Sequence, residues 1–228
     1  MERRVNFAPG EYYHIYNRGT EKRKIFLSAK DYQRFLVLLH LSNNHEAVHL
    51  SNLTYQGLPL LELLNEKVKS RLVAVGAYCL MPNHFHLLLY EKQAGGITKF
   101  MLKLETAYSM YFNKKNERKG HLFQGTFQSE SVAGDDNYLR YLYAYIHLNP
   151  LKIIDRDWRE KIPSLNQSNR LLDYLDAYSY SSYPDYLLKG RSQSIILTPA
   201  AFPEYFGSPE EHRAELADWL NYQGLPSL

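Results

Sequence analysis

Two short strings carry residue types able to do chemistry. The first, His84-Phe85-His86, opens the apolar run HFHLLLY. In a strand, residues i and i+2 emerge on one face and i+1 on the other, so the two imidazoles project together while Phe85 packs inward. Neutral imidazole is a common transition-metal ligand, and two of them leave part of a coordination shell open to a third ligand, water or a substrate oxygen. The second string is YLRYLYAYIHLNP, residues 138–150. On a helix, i and i+4 share a face, which sets Tyr145 beside Asn149 with Tyr141 one turn earlier and Tyr143 pointing away. The Asn149 carboxamide oxygen is a hard donor that could complete a two-histidine metal set. A phenol beside such a cation is placed to attack a phosphodiester whose charge the cation neutralises. Both strings also have plainer readings. An H-x-H in a strand describes an ordinary surface or core pair, a tyrosine-rich helix face is usually a core face, and Asn before Pro usually ends a helix. Spacing alone does not choose between them.

The elements that must position these residues can be read from pattern. EYYHIYNRG (11–19) alternates and reads as a first strand, and Ser28 is a plausible N-cap for the helix AKDYQRFLVLLHLS. Residues 43–66 look like an insertion with turn signals and a short helix. Strands are expected in VKSRLVAVGAYCL and HFHLLLY, joined at Met81-Pro82-Asn83. GITKFMLKLETAYSMYFNKKN follows as a helix, HLFQGTFQSESVA as a short β element bent at Gly125, and DDNYLRYLYAYIHLN as a helix capped by Asp135 or Asp136 and stopped by Pro150. Strands interleaved with helices in mostly antiparallel order predict an α+β sandwich. Beyond about residue 155, SYSSYPDYL and the terminal helix SPEEHRAELADWL suggest a helical accessory region. The expected division is 1–154 for the core and 155–228 for the accessory part.

Composition sets outer bounds. The chain has 228 residues, 27 Lys+Arg against 24 Asp+Glu, and 45% apolar residues, which excludes disordered and collagen-like classes. One cysteine, Cys79, cannot form an internal disulfide, and MERRVNFAPG has no apolar run behind its charges, so a cytoplasmic location is expected. The most apolar stretch, 71–90, contains Pro82, Asn83 and two histidines, which a membrane span would tolerate poorly. Tyrosine is abundant, 20 against 10 Phe and 2 Trp, which suits base stacking as well as an amphipathic core. A net charge of +3 is modest for a nucleic-acid binder, so local clusters carry more information. Arg18, Lys22, Arg23 and Lys24 form one beside Asn17. Lys114, Lys115, Arg118 and Lys119 form another beside Tyr108, Tyr111 and Phe112. His121 and Gln124 are within reach of bases in such a scheme.

LMPNHFHLLL followed by YAYIHLNPLK, with YHIYNRGTEKRKIF before them, HLFQGTFQS between and YSYSSY after, resembles the single-tyrosine HUH transposases, especially the REP-associated tyrosine transposases. The strings stand in that family's order and cover most of residues 10–185. The resemblance implies a ferredoxin-like antiparallel sheet with packed helices, His84 and His86 as metal ligands, Asn149 as the third ligand and Tyr145 as nucleophile. It also implies Mg²⁺ or Mn²⁺ as cofactor and single-stranded DNA carrying a hairpin as partner, handled by a monomer or homodimer. The implied reaction is cleavage through a 5′-phosphotyrosine link, rejoined by the freed 3′-OH. Relatives often carry basic residues where this chain has Thr126 and Gln128, which weakens the expected DNA grip there. The alternative is a domesticated hairpin-DNA-binding protein with little or no cleavage, against which His84, His86, Tyr145 and Asn149 all stand intact. A metal hydrolase built on H-x-H in a barrel would need further His and Asp ligands and usually ~250 residues of β/α units, and the chain shows neither.

Overall fold

The computed structural model describes residues 6–46, 59–132, 134, 136–160, 163, 165–187 and 190–221. Four strands, β1 (Tyr12–Arg18), β2 (Val73–Met81), β3 (His84–Glu91) and β4 (Gln128–Ser131), form one sheet in the order β2-β3-β1-β4. Every neighbouring pair is antiparallel. Helix α1 (Ala29–Leu41) lies between β1 and β2 in sequence, and α2 (Gly96–Lys115) between β3 and β4. This β-α-β-β-α-β order is the ferredoxin-like arrangement. No helix among the described residues is long and apolar enough to cross a membrane.

The alternation of side chains divides the sheet into two unlike faces. On one, Tyr13, Ile15, Phe85, Leu87 and Leu89 form a core with α1 and α2. The start of α1 is fixed by Asp31, whose carboxylate accepts the N–H groups of Leu27 (2.9 Å) and Ser28 (3.0 Å). The same carboxylate accepts from Tyr111 (2.8 Å) and pairs with Lys115, so one buried acid caps α1 and ties it to α2. Glu91, fully buried at the end of β3, accepts the N–H groups of Gly96 (3.0 Å) and Ile97 (2.7 Å) and so satisfies the first turn of α2.

The other face receives α3 (Asp136–Leu148). Ala77, Cys79, Met81 and Leu88 from the strands meet Leu139, Tyr141, Leu142, Tyr143 and Tyr145 from the helix. At Gly76 the β2–β3 register slips by one residue, and a Cβ there would lie 2.8 Å from the Tyr143 hydroxyl and 2.7 Å from Phe202. The bulge and the missing side chain let Tyr143 approach the backbone.

Several boundaries differ from the sequence expectations for identifiable reasons. The expected β element from 121 to 133 is a strand only at Gln128–Ser131, because the left-handed Gly125 (φ +73°) breaks the extended run. Pro150 ends α3 at Leu148 as expected, but it does not end the helical run. Its fixed φ suits a helix start, and α4 (Leu151–Ile154) follows α3 directly. In the 43–66 insertion a 3₁₀ turn, Leu60–Asn65, buries Leu63 and Leu64, while 47–58 and Asp135 lie outside the described residues.

The remainder comprises α5 (Leu165–Ala177), α6 (Tyr183–Leu187) and α7 (Pro209–Asn221) with intervening 3₁₀ turns. This region covers the outer edge of β2, which would otherwise offer unpaired backbone groups. Leu80 N–H donates to Tyr180 O (2.9 Å), Ser182 N–H to Tyr78 O (2.9 Å) and Thr198 N–H to Val75 O (2.9 Å). Ile196 and Leu197 join the core under α1, and Phe202 joins the one under α3.

A buried polar chain ties this cover to α3 and α7. His147 Nε2 is 2.9 Å from Ser182 Oγ, and its Nδ1 is 3.3 Å from His212 Nε2. Burial pushes the His212 imidazole down to about 3. The unfolded chain takes up that proton near the ordinary histidine value of about 6.5 and the folded protein does not. This contribution to stability is therefore complete above pH ~6.5 and is lost as pH falls toward 3. His212→Phe keeps a ring against Phe206, whose centroid is 3.9 Å away, and cannot protonate. Its acid unfolding, followed by the fluorescence of Trp219 on α7, is expected to begin at lower pH than in the parent. An unchanged or higher onset would contradict the assignment.

Candidate active site

The β1–β3 register sets Tyr16 opposite His86 and Arg18 opposite His84, and the β1–β4 register sets Glu130 opposite His14 and Gln128 opposite Tyr16. All of these emerge on the face that α3 covers. The result is a polar row beside the apolar Cys79, Met81 and Leu88. The His84 and His86 rings stand perpendicular with centroids 5.0 Å apart, as the i, i+2 spacing requires.

His86 is held from behind. Its Nδ1 is 2.9 Å from Nε2 of His14, and the two rings stack at 5.1 Å. His14, 1% exposed, has its Nδ1 3.7 Å from Glu130 Oε2, just beyond hydrogen-bond reach, with no other partner among the described residues. Glu130 is fixed by the hydroxyls of Tyr16 (2.9 Å) and Tyr138 (3.5 Å). His84 Nδ1 is anchored to Asn83 Oδ1 at 2.7 Å. Burial pushes His84 down to about 4, aided by the charges of Lys152 and Arg18. Burial also holds His86 well below the usual imidazole range, with His14, His84, Lys152 and Arg159 adding to the effect. Burial lowers His14 as well, against the pull of Glu130. The face thus presents neutral imidazoles, the form in which histidine binds a metal.

Tyr145 reaches this row from α3. Its ring meets His86 edge-on at 5.5 Å and His14 at 5.6 Å. Arg159 and Lys152 lie over the same ring, 4.9 Å and 5.6 Å from its centroid. Burial raises the Tyr145 phenol, while Arg159 and the Asn149 side chain act against that rise. Asn149 is fully buried. Its amide Nδ2 donates to the Tyr145 carbonyl at 2.8 Å, and its Oδ1 has no partner among the described residues.

A cavity of about 810 Å³ brings His84, His86 and Tyr145 together with Tyr16, Lys22 and Lys152. Asn149, bonded to the Tyr145 carbonyl, is not among the residues that line this cavity. Of the residues expected to contact DNA, Asn17, Arg18, Lys22 and Gln124 line the cavity. Asn17 is nevertheless 3% exposed, its Nδ2 donating to Glu105 (2.9 Å) and its Oδ1 accepting from Arg18 N–H (2.8 Å). Arg18 donates through Nε to Gln124 Oε1. Arg23 pairs with Glu21 at 3.4 Å. His121 lines a second cavity of about 330 Å³ between α2 and the 120–125 loop, which shares Gly125 with the first. The second basic cluster lies off both walls. Lys114 and Lys119 are exposed, Lys115 pairs with Asp31, and Arg118 donates to Asn113 Oδ1 at 2.9 Å.

Sequence reasoning passed over His14, Glu130, Lys152 and Arg159. His14 and Tyr16 have the same i, i+2 spacing as His84 and His86, so the signal was there, but only the strand register shows that the two pairs meet. Lys152 and Arg159 carry no such signal, because nothing in the chain before Pro150 says that the backbone turns back over Tyr145.

The orientation of His86 is open to direct observation. With the His14 proton on Nδ1, facing the Glu130 carboxylate 3.7 Å away, His14 Nε2 accepts from His86 Nδ1–H, which leaves His86 Nε2 unprotonated. Long-range ¹⁵N–¹H spectra of the metal-free protein at neutral pH are expected to show His86 as the Nδ1–H tautomer. His14→Ala should shift it toward a tautomer mixture. A dominant Nε2–H form in the parent would refute the chain of donors.

The residues matched by known proteins coincide with these elements. The family model described as "Transposase IS200 like" matches residues 10–149, from just before β1 to Asn149. A solved structure of the REP-associated tyrosine transposase bound to a REP hairpin superposes with a TM-score of 0.45 at 12% identity, covering 92% of each chain. No curated protein matches the chain. With its strands, both histidines, Tyr145 and Asn149 inside the matched span, this chain belongs to the IS200-like transposase family.

Proposed function

We propose that the protein cleaves and rejoins single-stranded DNA at hairpin-flanked sites, with Tyr145 as nucleophile and a divalent cation as cofactor. The observation that supports this most is the placement of the Tyr145 ring against His86 on one cavity with His84, in a chain of the IS200-like transposase family. The donor atoms fit a cation. Two neutral imidazoles face the cavity, and the Asn149 oxygen is buried without a partner while its amide nitrogen is already committed to Tyr145 O. A nitrogen- and oxygen-only set without thiolate suits Mg²⁺ or Mn²⁺. His84, His86 and Asn149 would hold the cation, which would supply Lewis-acid neutralisation of the phosphate charge.

The chain's own residues supply the rest. The Tyr145 oxygen attacks phosphorus, the P–O3′ bond breaks, and the DNA 5′-phosphate becomes esterified to Tyr145 while the 3′-oxygen leaves as a hydroxyl. The phenolic hydrogen ends, in net terms, on that oxygen. The phosphodiester is conserved in the phosphotyrosine link, so the freed 3′-OH can rejoin strands without an external energy source. Burial makes the phenol harder to ionise, and Arg159 and Asn149 oppose that cost where attack occurs. Arg18, Lys22 and Gln124 at the cavity wall offer phosphate and base contacts to the approaching strand.

The test uses labelled single-stranded hairpin DNA from the flanks of the gene, with Mn²⁺ or Mg²⁺, scored on a denaturing gel for a protein–DNA adduct. The parent is expected to form a metal-dependent adduct. Tyr145→Phe should abolish it while hairpin affinity on a native gel stays within about twofold. His84→Ala should lose cleavage together with Mn²⁺ affinity. A native-gel shift with no adduct from the parent would assign the chain instead to hairpin binding without cleavage.

A further inference from the structure

We propose that Lys152 and Arg159 form a cationic cradle that holds the non-bridging oxygens of the scissile phosphodiester over Tyr145. The proposal rests on the reading of Tyr145 as nucleophile and adds the groups that bind its substrate's charge. Both residues come from the segment after Asn149, outside the span matched by the family model.

The two cations share one aromatic ring. Arg159 stands 4.9 Å and Lys152 5.6 Å from the Tyr145 centroid. Nε and Nη2 of Arg159 are buried with no hydrogen-bond partner, and neither residue has a carboxylate partner among the described residues. Elsewhere the protein matches its partly buried cations. Arg71 donates to Ile196 O, Leu197 O and Thr198 Oγ1, Arg191 pairs with Asp185 at 3.1 Å and Lys115 with Asp31. Among the described residues Arg34, on the opposite face, also has a buried Nε without a partner and lies over Tyr111, and Arg213, whose Nη1 is without one, pairs with Asp173 and Asp176. Two adjacent positive charges withdrawn from water without an anion carry a desolvation cost and a mutual repulsion. Burial and the charge of Arg159 accordingly push the Lys152 ammonium down. An anion bound between them removes both penalties.

Local structure accounts for the placement. Because Pro150 starts α4 and does not end the fold, Lys152 follows within one turn, its N–H donating to Asn149 O at 3.1 Å, and its side chain lines the cavity with His84, His86 and Tyr145. Arg159 is set by its neighbour Trp158, which is 4% exposed in the core formed with α5 and α7. The pair suits a phosphodiester. Guanidinium offers a planar fork to two phosphate oxygens, and ammonium a point charge beside it.

The experiment scans the flanking strand of the hairpin oligonucleotide with single methylphosphonates, each removing one phosphate charge, and measures binding in a Tyr145→Phe background. Lys152→Ala, Arg159→Ala and the conservative Lys152→Arg are made in that background, and the unmutated protein is assayed in parallel for adduct. Neutralising one phosphate is expected to weaken binding roughly tenfold in Tyr145→Phe and to have little further effect once Lys152 or Arg159 is Ala. Lys152→Arg should restore the sensitivity, and that phosphate should be the one at which the parent forms its adduct. In the Tyr145-intact protein, either Ala substitution should slow adduct formation on the order of 10²-fold. Equal sensitivity to every methylphosphonate with and without the cations would overturn the cradle, as would coupling confined to a phosphate other than the one cut. Coupling at one phosphate with no adduct from the parent would leave the cradle standing and count against the cleavage reading.

Discussion

The antiparallel ladder between β1 and β3 decides on which side of the sheet every site residue emerges. Tyr16 faces His86 across it, and the period of two then places His14, Arg18 and His84 on the same surface. A slip of one residue would carry the histidines into the aliphatic core and expose Ile15, Phe85 and Leu87 to α3. Those three are fully buried under α1 and α2, so the apolar face enforces the register that the polar face needs. Stability and site geometry therefore depend on one set of hydrogen bonds.

The second requirement is that a polar row survive beneath a helix. Three imidazoles in a dry interface would each cost desolvation if charged, and burial keeps all three in the neutral form. Two ring contacts order them, Asn83 to His84 and His14 to His86, while His14 Nδ1 faces the Glu130 carboxylate at 3.7 Å. Where the matching stops, at Asn149 Oδ1 and the Arg159 guanidinium, the orphaned atoms lie around Tyr145. Asn149 Oδ1 and Arg159 Nε and Nη2 are thus placed where a charged ligand can satisfy them, while other buried atoms without a partner, Arg34 Nε and His212 Nδ1 among them, lie elsewhere.

Much of this was legible in the chain. The i, i+2 histidines and the i, i+4 Tyr145–Asn149 pair needed only the period of a strand and of a helix, and the structure keeps both relationships. The Ser28 N-cap of α1 and the hairpin at Pro82 were equally local signals. What escaped was long-range. His14 and Glu130 act together only because β1 lies between β3 and β4, an order that no local pattern encodes. Pro150 reads as a stop, and α3 does end at Leu148, but no local pattern says that a new helix capped by Pro150 follows and brings Lys152 back to the site. The closure of the β2 edge by residues 178–198 likewise depends on backbone partners more than 100 residues away in some cases.

The proposed chemistry requires that sheet and helix together present a single tyrosine for attack. Tyr138, Tyr141 and Tyr143 lie on the same helix, but Tyr143 is turned toward Gly76 and Phe202, and Tyr138 is bound to Glu130. The most direct measurement is peptide mapping by mass spectrometry of the protein–DNA adduct after nuclease digestion. The account predicts the residual nucleotide on Tyr145 alone. A nucleotide on Tyr138, Tyr141 or Tyr143 would contradict it.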